Sequence, residues 1–177
     1  MSASMETTFD SRSLRRAFGS FPTGVTVVTV GGAMPHGMTA NSFTAVSLDP
    51  PLLLICVEHG AVMHDVLTTA GRFAVSVLGA GHGGLARYFA DRNRPMGAEQ
   101  FADVDWHAGE HSGAPLIAGA LAHFECSVWR SYDGGDHTIF LGELLAVRRG
   151  EDEDAEPLLF HGGRLRKADR DPSGVAA

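Results

Sequence analysis

The stretch that decides the fold is Leu121–Val147, LAHFECSVWRSYDGGDHTIFLGELLAV, in which two strand-like runs flank a turn signal. Apolar residues occupy every second position from Phe124 to Val128, which is the period-two pattern of a half-buried strand. The turn signal is the DGGD sequence at 133–136, and a long strand is predicted from His137 to Val147. The segment therefore predicts a hairpin of two antiparallel strands.

More strands are predicted on both sides of this hairpin. They cover segments 24–30, 37–48, 52–58, 72–78 and 157–160. Three short helices are predicted, one after the candidate N-caps Asp10 and Ser11, one across 62–70 and one around 85–89, and a loop is predicted over about 93–113. Because strands follow strands, a regular βαβ alternation is disfavoured. The sequence predicts a mainly β fold, an antiparallel barrel or curled sheet.

The composition is that of one globular domain. The chain has 177 residues, of which 44% are apolar and 20% charged. We expect a single domain over residues 9–167, with flexible tails at 1–8 and 168–177. The net charge is −7 and the basic residues are scattered, so no nucleic-acid partner is expected. Any site for a phosphate must be built locally.

The sequence predicts no membrane segment and a cytoplasmic location. The longest apolar run, Leu52–Val57, is far shorter than the roughly 20 residues that span a bilayer. The first eight residues lack the pattern of a secretion signal. Cys56 and Cys126 lie in apolar runs, which is typical of buried thiols in a reducing compartment.

A glycine-rich run offers one alternative function. Gly79–Gly84, GAGHGG, matches the G-x-G-x-x-G pattern between a predicted strand and a predicted helix. No second strand of a βαβ unit follows, because residues 92–97 include proline and glycine. A mobile loop is the simpler interpretation, and a Rossmann-type NAD(P) oxidoreductase remains an alternative.

The histidines offer another alternative. His107 and His111 are four residues apart, a spacing that places two metal ligands on one helix face. Gly109 lies between them and Gly113 follows, which disfavours a helix there. No metal site is predicted, and a zinc hydrolase is kept only as a hypothesis to test. The sequence also contains no G-x-S-x-G motif of a serine hydrolase.

Two polar stretches are more unusual. Residues 39–47, TANSFTAVS, form a strand-like run rich in hydrogen-bonding side chains. This run is either a solvent-facing strand or a strand that lines a polar ligand. In residues 134–138, GGDHT, Asp136 precedes His137 at the mouth of the hairpin. Either Asp136 only caps the backbone of the turn, or His137 is a functional residue that titrates near neutrality.

Five segments in this order resemble the flavin reductase family, the reductase components of two-component flavin-dependent monooxygenases. They are FPTGVTVVT at 21–29, TANSFT at 39–44 continuing as VSLDPPL at 46–52, RFAV at 72–75, GDHTIFLGE at 135–143 and FHGG at 160–163. The resemblance covers nearly all of residues 9–167. It implies an FMN-binding split β-barrel with a few short helices, assembled as a homodimer with the flavin near the subunit interface.

The resemblance also implies the residues of the site. Thr39, Ala40, Asn41 and Ser42 would contact the isoalloxazine and ribityl chain, largely through backbone groups. Ser47 and the strand end at Cys56, Val57, Glu58 and His59 would lie along the same flavin, Phe73 and Ala74 would lie by its phosphate, and His137 would face the nicotinamide. Segment 58–65, EHGAVMHD, departs from the family's usual Ser, Thr or basic residues. Backbone N–H groups near Ala61, with His59 or His64, could hold the phosphate instead.

The implied activity is hydride transfer from NADH, or NADPH, to FMN or FAD. The reduced flavin would then be supplied to a partner monooxygenase. No acid or base is needed for the hydride itself, so His137 is interpreted as a positioning and electrostatic group. A split-barrel flavoprotein that keeps its flavin for electron transfer is the main alternative.

Overall fold

The computed structural model describes residues 9–152 and 154–168. Its helices are α1 (Ser11–Phe18), α2 (Val62–Ala70) and α3 (Gly83–Ala90). Its strands are β1 (Thr23–Gly24), β2 (Thr26–Val30), β3 (His36–Ala40), β4 (Thr44–Leu48), β5 (Pro51–Glu58), β6 (Arg72–Val77), β7 (Trp106–Ala108), β8 (Pro115–Ile117), β9 (Ala122–Asp133), β10 (His137–Arg149), β11 (Leu158–His161) and β12 (Arg164–Lys167). The predicted tails, apart from residue 168, lie outside the described residues.

Seven strands form the main sheet, in the order β3-β2-β6-β9-β10-β5-β4. Each strand pairing in the described part of the chain is antiparallel. The two edge strands, β3 and β4, are consecutive in the chain, so the sheet is split between them. The mainly β fold with a few short helices is confirmed, and the Rossmann-type alternative is wrong because it requires a parallel sheet.

The hairpin predicted from the sequence lies at the centre of this sheet. Strands β9 and β10 pair from Thr138↔Asp133 onwards, and β10 also pairs with β5. The second pairing places His137 opposite Glu58, at the end of β5. The hairpin mouth and the end of β5 therefore meet at one edge of the fold.

The two larger apolar clusters of the described residues pack beside the sheet. One contains Ile55, Phe73 and Phe140, and the other contains Phe89 and Phe101. Phe73 is fully buried. Its ring fits because Gly142 has no side chain, since a Cβ on Gly142 would lie only 2.5 Å from the ring. Close packing of this kind makes the sheet a rigid base for the side chains at its edge.

The predicted strand at 37–48 is wrong as a single element. The chain leaves β3 after Ala40 and enters β4 at Thr44, because β3 pairs with β2 whereas β4 pairs with β5 at the opposite edge. Segment 41–43 therefore crosses the split between the two edges. A periodic sequence does not show which neighbour a strand will pair with, so the break is invisible before folding.

Other differences lie in short elements. The glycine-rich run forms a 3-10 turn at Ala80–His82 and the start of α3, not a mobile loop. The predicted loop over 93–113 contains a 3-10 turn at Gly97–Phe101 and strand β7. Strands β8 and β12 were not predicted, because three or four residues carry too little periodicity.

Helix α1 begins as predicted but does not bury its apolar side. The Asp10 side chain accepts hydrogen bonds from the N–H groups of Arg12 and Ser13 at 2.9 and 3.2 Å. Phe18 and Phe21 remain 73% and 74% exposed. Among the described residues, no helix is long and apolar enough to cross a membrane.

Candidate active site

A cleft of about 360 Å³ lies where the split edge of the sheet meets the starts and ends of the helices. Its walls are the end of β3, the end of β5, the start of α2 and the segment that follows α3. Its lining residues include Thr39, Ala40, Asn41, Ser42, Cys56, Glu58, Ala61, Arg92, Arg94 and His137. Seven of these ten are residues predicted for a flavin, and His137 is the residue predicted to face the nicotinamide.

The hydroxyl groups of Thr39 and Ser42 are already used within the protein. The Thr39 hydroxyl donates to the carbonyl of Ala86 at 2.7 Å. The Ser42 hydroxyl accepts from the N–H of Cys56 at 2.9 Å and donates to its carbonyl at 3.1 Å. These hydrogen bonds hold the end of β3 and the start of the crossing segment in place beside the cleft.

Helix α2 points its N-terminus at the same cleft. Its N-cap is Ala61, whose side chain has no oxygen to accept from the first-turn N–H groups. The first N–H groups of a helix lack partners within it and carry a partial positive charge. This wall is suited to an anion.

Two arginines bring formal positive charge to the cleft. Arg94 donates to the carbonyl of Asp91 at 2.6 Å, to Nε2 of His36 at 3.1 Å and to the carbonyl of Gly37. Burial lowers the pKa of Arg94, although its ordinary value is so high that the side chain stays charged. Arg92 is 74% exposed and pairs with Glu58 across the cleft.

At the hairpin mouth, His137 is held by its neighbour. Its Nδ1 lies 2.6 Å from a carboxylate oxygen of Asp136, and the pKa of Asp136 is lowered, first by this hydrogen bond and then by the charge of His137. Nearby, Nε2 of His59 and Nε2 of His64 lie 3.1 and 2.9 Å from the Thr138 hydroxyl. Asp136 therefore engages one ring nitrogen of His137, a residue that lines the cleft.

Comparison with known proteins shows which family has this arrangement. Residues 18–169 match the model of the flavin reductase like domain. The chain belongs to the flavin reductase family.

Individual members of the family are similar to this chain along nearly its whole length. An NADH-dependent FAD reductase of Streptomyces globisporus is 63% identical over 158 residues, which cover 89% of this chain and 86% of that protein. The structure of the NADH:FAD oxidoreductase SgcE6 of Streptomyces globisporus, in complex with NAD and FAD fragments, superposes with a TM-score of 0.87 at 60% identity, covering 92% and 95% of the two chains. BorF, the flavin reductase component of a bacterial two-component tryptophan halogenase, has a TM-score of 0.86 at 55% identity, covering 91% and 100%.

Five residues predicted for this flavin reductase site lie outside the cleft. Phe73 and Ala74 are fully buried within β6, and Val57 faces the core from β5. The Ser47 hydroxyl accepts from the N–H of Asp49 at 3.2 Å, and His59 is turned towards Thr138. The flavin contacts predicted for these five residues stay predictions.

Sequence reasoning missed the two arginines and His36, which also line this flavin reductase cleft. Arg92 and Arg94 follow the third predicted helix, in a segment that was interpreted as a loop. In an acidic chain, two arginines with one residue between them were a signal for a local anion site. His36 gave no such signal, because its position depends on the pairing of β3.

The metal hypothesis finds no support in the described residues. His107 lies in β7 and His111 lies in the turn after it, so the two do not share a helix face. No group of three or more His, Cys, Asp or Glu residues in the described part of the chain could hold a metal ion.

The buried His36 gives the fold a testable pH dependence. Burial, followed by the charge of Arg94, lowers the pKa of His36 to about 4 from its ordinary 6.5. Between pH 6.5 and pH 4, His36 binds a proton in the unfolded chain but not in the folded chain. The free energy of unfolding is therefore highest above pH 6.5 and falls as the pH drops towards 4. We expect a loss of about 2 kcal/mol between pH 6.5 and 5.

Urea unfolding at pH 7 and pH 5 measures this loss. The control is His36→Gln, whose amide oxygen still accepts from Arg94 but does not titrate. His123 also has its pKa lowered by burial and contributes in the same direction in both proteins. Equal losses in the wild type and the variant would contradict the assignment to His36.

Proposed function

We propose that this chain is an NADH-dependent flavin reductase that transfers hydride to FAD or FMN and releases the reduced flavin to a partner monooxygenase. One observation carries the proposal. Residues 39–42 line a cleft that also holds the cationic side chains after α3, the N-terminus of α2 and His137. The identity with the Streptomyces NADH-dependent FAD reductase supports NADH as donor and FAD as the preferred flavin.

The residues of the cleft fit a flavin. We assign the ring and ribityl contacts to the backbone of Thr39, Ala40, Asn41 and Ser42, with Cys56 alongside, and we assign Glu58 and Ala61 to the phosphate end. The cleft has three side chains with formal charge, Glu58, Arg92 and Arg94, and therefore a net positive charge in a protein of net charge −7. This charge favours both the phosphate of a flavin and the negative charge of a reduced one.

The cofactors supply the chemistry: the nicotinamide provides the hydride and the flavin accepts it. The protein orients the two rings and excludes water. His137, oriented by Asp136, donates a hydrogen bond to the nicotinamide side of the cleft. Backbone N–H groups of residues 39–42 would hold the flavin and stabilise the negative charge of its reduced form.

His137→Ala tests this assignment. We expect the KM for NADH to rise about fivefold, the equivalent of one lost hydrogen bond, with little change in the dissociation constant of the flavin. Steady-state kinetics and quenching of flavin fluorescence measure the two constants separately. His107→Ala, which removes a histidine far from the cleft, is the control. An equal loss of flavin binding would contradict the nicotinamide role.

We also propose that the enzyme is a homodimer. Exposed apolar side chains support this: Phe18 and Phe21 near α1, and Leu48 on the edge strand β4, which is 96% exposed. Large apolar patches on a single chain mark interfaces. Analytical ultracentrifugation at micromolar concentration measures the mass, and a monomer would contradict the proposal.

The partner and the location complete the proposal. The named partnership of BorF with a tryptophan halogenase supports a partner enzyme that consumes reduced flavin. Both cysteines, Cys56 and Cys126, are free thiols, which supports a cytoplasmic location.

A further inference from the structure

We infer that the Glu58–Arg92 ion pair acts as an exchangeable latch, meaning a contact that opens when a ligand enters the cleft. Arg92 then leaves Glu58 and binds a phosphate of the incoming dinucleotide or flavin. Until that phosphate arrives, Glu58 occupies its place. This inference rests on the proposed function and assigns a phosphate-binding residue within it. It is independent of whether the phosphate belongs to the flavin or to NADH.

Arg92 is the cation of the cleft that is available to a ligand. Arg94 already donates to two backbone carbonyls and to His36. Arg92 is more exposed and has Glu58 as its partner. Its planar guanidinium has several N–H groups in a fork that matches the oxygens of a phosphate as well as those of a carboxylate.

The pair is weak enough to exchange. The side chains of Arg92 and Glu58 are 74% and 45% exposed. Exposed ion pairs of this kind contribute about 0–1 kcal/mol to stability, so opening the pair costs little. A phosphate monoester offers the arginine more negative charge than the carboxylate does, and a diphosphate offers one negative charge on each of its two phosphates.

The position of the pair is that of a latch. Glu58 ends β5, and Arg92 lies two residues beyond α3, so the contact joins two opposite walls of the cleft. The N-terminus of α2 opens on the same cleft three residues after Glu58. A phosphate between Arg92 and this helix start would meet a formal charge on one side and backbone N–H groups on the other.

Glu58 explains the departure of this chain at segment 58–65. An acidic residue beside a phosphate site weakens binding unless an arginine compensates it. Here the carboxylate holds Arg92 in the cleft when no ligand is present. We therefore expect substitutions of Arg92 and of Glu58 to change the affinity for a phosphate-bearing ligand in opposite directions. An ordinary surface ion pair would show no such opposition.

The test compares ligands with and without phosphate on two matched variants. Dissociation constants for riboflavin, FMN and FAD are measured by quenching of flavin fluorescence. KM values are measured for NADH and for reduced nicotinamide riboside, which has no phosphate. Arg92→Gln and Glu58→Gln remove one charge each, and Arg16→Gln on α1 is the control for a general change in charge.

We expect Arg92→Gln to weaken the phosphate-bearing ligand about tenfold and Glu58→Gln to strengthen it several-fold. Riboflavin and reduced nicotinamide riboside should bind all proteins equally. An effect on FMN and FAD assigns the phosphate to the flavin, and an effect on NADH assigns it to the nicotinamide dinucleotide.

The inference is overturned if both variants change affinity in the same direction, or if ligands without phosphate respond equally. It is also overturned if Arg92→Gln behaves like Arg16→Gln. Failure of the proposed function looks different, because the wild type itself would then bind no flavin and oxidise no NADH.

Discussion

Replacing Ala61 by aspartate is expected to weaken the binding of FAD and FMN by at least about tenfold while stabilising the fold by about 1 kcal/mol. Ala61 is the N-cap of α2 and provides no side-chain cap. An aspartate there accepts from the first-turn N–H groups and interacts favourably with the helix dipole. The same carboxylate adds negative charge to the cleft and occupies donors that a flavin phosphate would use.

The control for this variant is Ala61→Ser, which caps the helix without adding charge. We expect it to stabilise the fold to a similar degree and to lose much less flavin affinity. Urea unfolding and titration of flavin fluorescence measure the two effects. If Ala61→Asp bound flavin as tightly as the wild type, the phosphate would not lie at the start of α2.

Gly31→Ala is expected to destabilise the protein by about 3 kcal/mol or more. A Cβ at this position would lie 2.1 Å from the carbonyl oxygen and 2.5 Å from the carbonyl carbon of Gly113. Both are backbone atoms, so no side-chain rotation relieves the clash. The end of β2 and the segment before β8 must therefore move apart.

Gly24→Ala is the matched control, since a Cβ there meets nothing within 4 Å. We expect it to change stability by less than about 0.5 kcal/mol, as surface substitutions usually do. Chemical unfolding of the three proteins side by side measures the difference. Similar stabilities for both alanine variants would show that the segment at Gly113 is free to shift.

The sequence predicts the fold well where strands are long and their pattern is clear. The alternation from Phe124 to Val128 and the turn before His137 predict the hairpin, and the structure has it as β9 and β10. The Asp136–His137 pair was visible because both residues lie in the same turn. Features of this kind can be predicted from the sequence because they depend on residues that are close together in the chain.

Features that depend on distant neighbours were out of reach. The break after Ala40 follows from pairing with strands on opposite edges, and the hydrogen bonds of Ser42 to Cys56 exist only after that pairing. The contact of Arg92 with Glu58 joins residues far apart in sequence. For Phe73 and Ala74 the family motif located their strand, and their contact with the flavin phosphate stays a prediction.

The central claim is that the cleft takes a flavin as an exchangeable substrate for reduction by NADH. The most direct measurement is the rate of NADH oxidation by the purified protein as free FAD, or FMN, is increased. The account predicts a rate that rises with added flavin and saturates, and a protein that loses its yellow colour on dialysis. A flavin retained through dialysis, with no dependence of the rate on added flavin, would contradict it and favour an electron-transfer flavoprotein.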